Sequence, residues 1–363
     1  MFIKPHANNE KVKEFVKAEL SSAGLSINYE GSMTGPEILK VFFSAVFLSL
    51  PDALLSMFVH CFPLIDTQAN IIDQHYAAIY EYAIEKPPDA IPVSEEVGNA
   101  FKEMYEEDFQ SALTAGKVVN AADAMKKLED KDGRGVAAVW EAGFAKGNLK
   151  FAPGVYVAKC VYKMDVNDEG DPVGMPAEEG DDGAEQMYVV NGFYGGVRQA
   201  FTAEGASISY FVVGFTSDNV SWAKFRSDII GSTDPSAAPA SSLRGKIYKQ
   251  FDQLGLEEQP TISLNGVHAS AGSIEGLKER MVWLGLTPDQ DPFGQKLLEV
   301  VWGNKSSKVQ EFLQSPTVEF AGAKAPLFDL TEDKDSIEAL CICNNLAFAT
   351  GAQTSSWYGA KAE

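Results

Sequence analysis

The sequence predicts an α+β protein, and three observations carry that prediction. Strand-like and helix-like stretches follow one another along the same chain, and 45% of the residues are hydrophobic, ample for a real core. The length of 363 residues suits two or so units at roughly 150 residues each. Residues 1–4 read as a short strand, followed by a helix with Val12, Phe15, Val16 and Leu20 on one face, and residues 25–29 read as extended. An apolar stretch, 41–65, has Asp52 as its single acid. Residues 71–83 place Ile72, Tyr76, Ile79 and Tyr80 on one helical face. Residues 84–150 read as polar helices separated by breakers such as Lys86-Pro87-Pro88 and Asp132-Gly133; 151–164 read as a strand. Residues 165–185 form a charged loop rich in Gly and Pro. A helix (192–201), a strand (208–215) and a helical segment (221–230) lead to a Pro/Ser/Ala-rich loop, 231–242. Another helix covers 273–284, and the tail from 285 is helical in pattern with its last dozen residues frayed.

Charge narrows the function. There are 51 acids against 30 Lys plus Arg, a net charge of −21. Such a balance repels phosphate backbones and anionic lipid, which excludes sequence-independent nucleic-acid or membrane-surface binding as an expectation. It leaves room for a small anionic ligand in a local basic pocket. Disorder is a poor description, because 11% of the chain is aromatic. Cys61, Cys160, Cys341 and Cys343 form no C-x-x-C pair, so free thiols in a reducing, cytoplasmic setting are expected. The N-terminus, with Lys4 and no apolar core before residue 15, does not read as a signal peptide. Asp165, Asn167, Glu169 and Gly170 fit the opening of a calcium loop, but Pro176 stands where a bidentate Glu is required. A solvated acidic loop is the better reading.

The chemistry-bearing residues cluster late in the chain. His268 stands among Gly, Ala and Ser, which leave an imidazole accessible, and a helix follows it. Arg226, Thr233 and Arg244 are spaced through a segment otherwise full of small residues and turn formers. Guanidinium forks and a hydroxyl among such residues suit phosphate oxygens, since the forks match them bidentately.

Five blocks, IKPHA (3–7), HY (75–76), GFYGGVR (192–198), GSTDPSAAPASSLRG (231–245) and NGVHASA (265–271), resemble the nucleoside diphosphate kinase family, in family order. From Asn265 through His268 to Trp283 no gap interrupts the match to the family's final active-site helix. The resemblance implies a ferredoxin-like, four-stranded antiparallel sheet with helices, built from residues 1–35, 66–82 and 191–284. Around it would lie an apolar insertion (36–65), an acidic insertion (83–190) and a helical C-terminal extension (285–363). It implies that a terminal phosphate passes from a nucleoside triphosphate to a diphosphate by a ping-pong route through phospho-His268. Lys4, Tyr76, Arg226, Thr233, Arg244 and Asn265 match phosphate and ribose ligands, Phe193 matches the base-stacking aromatic with Val197 nearby, and Ser270 with Glu279 matches the pair supporting the histidine. Mg²⁺ would be held through the nucleotide phosphates, with no protein metal ligand. ATP, GTP and other nucleoside di- and triphosphates are the implied partners, and homo-oligomers are implied on surfaces that the insertions could cover.

The chain departs from the family at definite points. It reads His268-Ala269-Ser270-Ala271 where HGSD is usual, and His6 replaces the acid after the KP pair. More than a hundred residues separate Tyr76 from Phe193, normally a few apart, and Arg226 to Thr233 is one residue longer than usual. The alternative is therefore a catalytically weak or inactive nucleotide-binding or scaffold module. A bilayer crossing between Lys4 and Tyr76 is incompatible with one shared site. Residues 39–65 then read either as a helical hairpin or as a translated intron, since joining Ile38 to Asp66 gives an ordinary-looking segment.

Overall fold

The structure, a computed structural model, describes residues 1–39, 70–166, 170–301 and 305–354, with side chains to residue 348. The apolar stretch 41–65 and the motif residues Asn167 and Glu169 lie outside them. Two units emerge: residues 1–34 with those from 207 onward, and residues 35–39 with 70–206. Where the sequence groups 66–82 and 191–206 with the core, contacts place 70–82 and 191–206 in the second unit.

The first unit is built on a four-stranded antiparallel sheet of β1 (Phe2–Ile3), β2 (Ser26–Thr34), β3 (Ser207–Gly214) and β4 (Val267–His268), in the order β2-β3-β1-β4. Between β1 and β2 runs α1 (Glu10–Ser22), started by Asn9, whose side chain accepts the Val12 N–H. Val12, Val16 and Leu20, four apart, line its buried face. They meet Ile3, Phe211 and Val267 from the sheet, and Leu243 and Ile247 from α2 (Leu243–Lys249), in one core. Strand side chains alternate between faces, so Phe2 and His268, paired across β1 and β4, lie opposite this core. Helix α3 (Ser273–Leu284) follows β4. Its Ile274 and Leu277 pack into a second core with Leu297, Val309, Phe312, Leu327 and Cys343 of the tail.

The tail is not wholly helical. Residues Thr317–Phe320 and Ala323–Pro326 pair as an antiparallel hairpin. Its two turn residues, Ala321 and Gly322, have φ of 52° and 81°, the paired left-handed geometry that matches strand twist. The four-residue strands are too short for their alternation to stand out from the flanking helical pattern.

The second unit carries a mixed five-stranded sheet. Strand Glu185–Val190 lies between Val118–Asn120, to which it is parallel, and Val155–Val166, to which it is antiparallel. Asn148–Ala152 and Pro172–Pro176 complete the sheet by pairing with Val155–Val166. The charged-loop reading of 165–185 is thus corrected: Pro172–Pro176 forms an edge strand, a sheet setting that tolerates proline. Helix Arg134–Lys146 lays Val136, Val139 and Trp140 against the sheet. Gly143 permits the close approach, because a methyl group there would sit 2.3 Å from the Lys159 carbonyl oxygen. A separate aromatic core gathers Phe101, Phe109, Phe151 and Tyr188. Near the start of the unit, buried Asp73 accepts hydrogen bonds from the Tyr194 hydroxyl and from Arg198 Nε, the latter at 3.0 Å. No helix among the described residues is long and apolar enough to cross a membrane. Cys160, Cys341 and Cys343 are free thiols, as the sequence leads one to expect.

Candidate functional site

His268 ends β4, where the pleat turns its ring onto Phe2, with ring centroids 4.7 Å apart in a stacked arrangement. Its side chain is 20% exposed. Nε2 lies 2.5 Å from Glu279 Oε1, and the Ser270 hydroxyl donates to Glu279 Oε2, also at 2.5 Å. One carboxylate from α3 therefore holds both the ring and the loop after it. Burial draws the His268 pKa below its ordinary value, and the Glu279 charge opposes that in part. A neutral imidazole whose Nε2–H donates to a carboxylate carries its lone pair on Nδ1.

One turn before Glu279, Glu275 accepts the Ala271 N–H. Burial first, then the neighbouring Glu279 carboxylate, pushes the Glu275 carboxyl up to about 7. No sequence signal marked this residue. It binds the loop at the position where the family's acid is replaced by Ala271.

Basic and polar groups line the approach from β1 and the 231–245 loop. The Lys4 backbone N–H donates to Gly266 O at 2.9 Å, and its Nζ donates to Ser263 O at 3.0 Å. Burial and the nearby Arg244 guanidinium draw the Lys4 pKa down to about 8. Arg244 donates through Nη1 to Gly231 O at 2.9 Å and through Nη2 to Val267 O at 3.0 Å, tying the loop to the strand that ends in His268. Asn265 is buried; its Nδ2 donates to Thr233 O at 3.0 Å, while its Oδ1 has no partner among the described residues. His6 Nε2 accepts the Gly266 N–H at 3.2 Å, so the residue after the KP pair steadies the turn before His268.

Within the first unit, Lys4, Thr233, Arg244, Asn265, His268, Ser270 and Glu279 are thus joined by short links. No protein-family model, curated protein or solved structure matches the chain. The resemblance to nucleoside diphosphate kinases rests on the sequence motifs alone.

Arg226 pairs with the tail and lies near enough to Glu275 for its charge to act on that carboxyl. Its Nη2 lies 2.9 Å from Glu332 and its Nε 3.8 Å from Asp333, both in the tail, which no motif flagged. Tyr76, Phe193 and Val197 belong to the second unit. There the Tyr76 ring stands edge-on to His75 and to Phe201, at 4.6 and 6.4 Å. Phe193 packs toward Trp140 and Tyr156, with centroids 5.8 and 6.3 Å away, as a wall of that unit's core. Val197 lies on the following helix, Tyr194–Thr202.

Proposed function

We propose that the chain is a divergent nucleoside diphosphate kinase-like phosphotransferase with a ferredoxin-like core, acting through phospho-His268. The single observation that carries the reading is the Glu279 carboxylate shared by His268 Nε2 and Ser270 Oγ, on a ring whose pKa is lowered. The strand order β2-β3-β1-β4, with α1 and α2 on one face, supports the fold assignment.

In the first half-reaction His268 Nδ1 attacks the terminal phosphorus of a nucleoside triphosphate. The N–P bond forms as the bond to the β-phosphate oxygen breaks, and the diphosphate leaves with the electron pair. In the second, a diphosphate oxygen takes the phosphoryl group back and Nδ1 recovers its lone pair. Glu279 keeps the Nε2 proton in place and steadies the positive charge that the ring develops. Lys4 and Arg244 offset charge on the transferred and leaving oxygens, where phosphoryl-transfer catalysis mostly acts. Mg²⁺ would arrive with the nucleotide phosphates, since both Glu279 oxygens are already in use. Incubation with γ-labelled ATP is expected to give acid-labile, alkali-stable label that added GDP removes and that His268→Ala lacks. Label that survives His268→Ala overturns the assignment.

A second reading, a nucleotide-binding module without efficient turnover, is favoured by one contact: Arg226 is paired with Glu332. ATP that stabilises the fold without labelling it would select this reading.

A further inference from the structure

Beside β2, β3 and α3 lies a cleft of about 620 Å³ whose wall includes neither His268, Lys4 nor Arg244. It is a ring-lined space. Tyr29 of β2, Tyr210 of β3, Trp222, Trp283 of α3 and Phe293 contribute aromatic surface. The Tyr29 and Tyr210 rings lie 6.1 Å apart and tilted by 35°. Gly31 gives Tyr210 room to lie across β2, since a methyl group there would fall 2.4 Å from its hydroxyl oxygen. Tyr29 is 58% exposed, an unusual amount for a large ring on a strand face.

Only two charged residues line this cleft among the described residues, Arg280 and Asp291. They satisfy each other: Arg280 Nε and Nη2 donate to the two Asp291 oxygens at 2.5 and 3.0 Å. Asp291 is also fixed by the N–H groups of Phe293 and Gly294. The pair is therefore neutral as a whole, and its guanidinium is a rigid plane suited to stacking rather than to drawing in an anion. A volume between 300 and 1,000 Å³ or so, walled by rings and with few polar groups, is the usual form of a small-molecule site.

We infer that this cleft binds an uncharged, planar aromatic small molecule, beside the Ser270–Glu279 pair but outside the reach of Lys4 and Arg244. Rings supply the binding area, and the absence of net charge on the wall selects against phosphorylated or strongly ionic ligands. The test uses the full chain and the uncharged probe N-phenyl-1-naphthylamine, whose own emission rises in apolar surroundings, so that binding is read from the probe and not from the five tryptophans of the chain. Saturable one-site binding with a dissociation constant on the order of 10 μM is expected from its size. Val212→Trp, which fills the cleft from β3, is expected to abolish the signal change. Tyr29→Ala, at an exposed position, is expected to weaken binding about fivefold without changing the melting temperature. Absence of saturable binding, or equal binding by both variants, overturns the proposal. So does a wild-type dimer that Val212→Trp converts to monomer, because the face would then belong to a second copy of the chain.

Discussion

At the scale of single residues, the site turns on who holds which proton. His268 is mainly neutral above its lowered pKa, so the acid limb of its phosphorylation rate is expected below pH 6.5. Lys4 loses its proton near pH 8 in the ligand-free protein, which sets an alkaline limb there. Lys4→Arg, always charged, is expected to remove that alkaline limb while leaving the acid one. Stability runs the other way. Between its folded pKa of about 8 and its unfolded value of 10.5, Lys4 binds fewer protons folded than unfolded. Its contribution to stability therefore rises with pH across that window and is unfavourable below it. Lys4→Met is accordingly expected to raise the melting temperature at pH 7 by about 2 °C or more while abolishing labelling. Glu279→Ala is expected to slow self-phosphorylation roughly 100-fold, measured by rapid quench. Part of this was legible in advance: the resemblance already matched Ser270 and Glu279 to a hydroxyl–carboxylate pair beside the ring, and the structure brings both to one carboxylate. Glu275 was not legible, because its role is to accept a backbone N–H from Ala271, a donor that every residue type but proline offers.

At the scale of elements, the tail closes over the α3 helix and reaches Arg226. Glu332→Gln removes the charge that holds Arg226 and is expected to raise the labelling rate several-fold, by an amount typical of one cation–phosphate contact. An unchanged rate would mean that Arg226 is a structural cation. Alternation and helical period found α1, β3 and α3 because each is long enough to show its pattern. They missed Val118–Asn120 and the Thr317–Phe320 hairpin, each held by pairing with a distant or equally short partner. Pro172–Pro176 was hidden for another reason: its prolines and glycine read as loop, and only edge pairing with Val155–Val166 makes them strand.

At the scale of the whole molecule, the net charge of −21 is unevenly spread. Residues 77–190 hold 23 acids and 11 bases, whereas 191–284 hold 9 and 8. The acidity thus belongs mainly to the second unit, which owns two hydrophobic cores and its own sheet. Such a unit is expected to unfold in a calorimetric transition of its own. Gly143→Ala, which forces a methyl group onto the Lys159 carbonyl, should lower that transition alone, by about 2 kcal/mol. A single cooperative transition shifted as a whole would contradict the division into two units.

In the proposed reaction His268 Nδ1 takes the phosphoryl group while Nε2 stays with Glu279. The most direct measurement is ³¹P–¹⁵N correlation NMR on protein phosphorylated by ATP, with the labelled peptide mapped in parallel. Phosphate on Nδ1 of His268 is the expected result. Phosphate on Nε2, on another histidine, or on no residue at all would contradict the account.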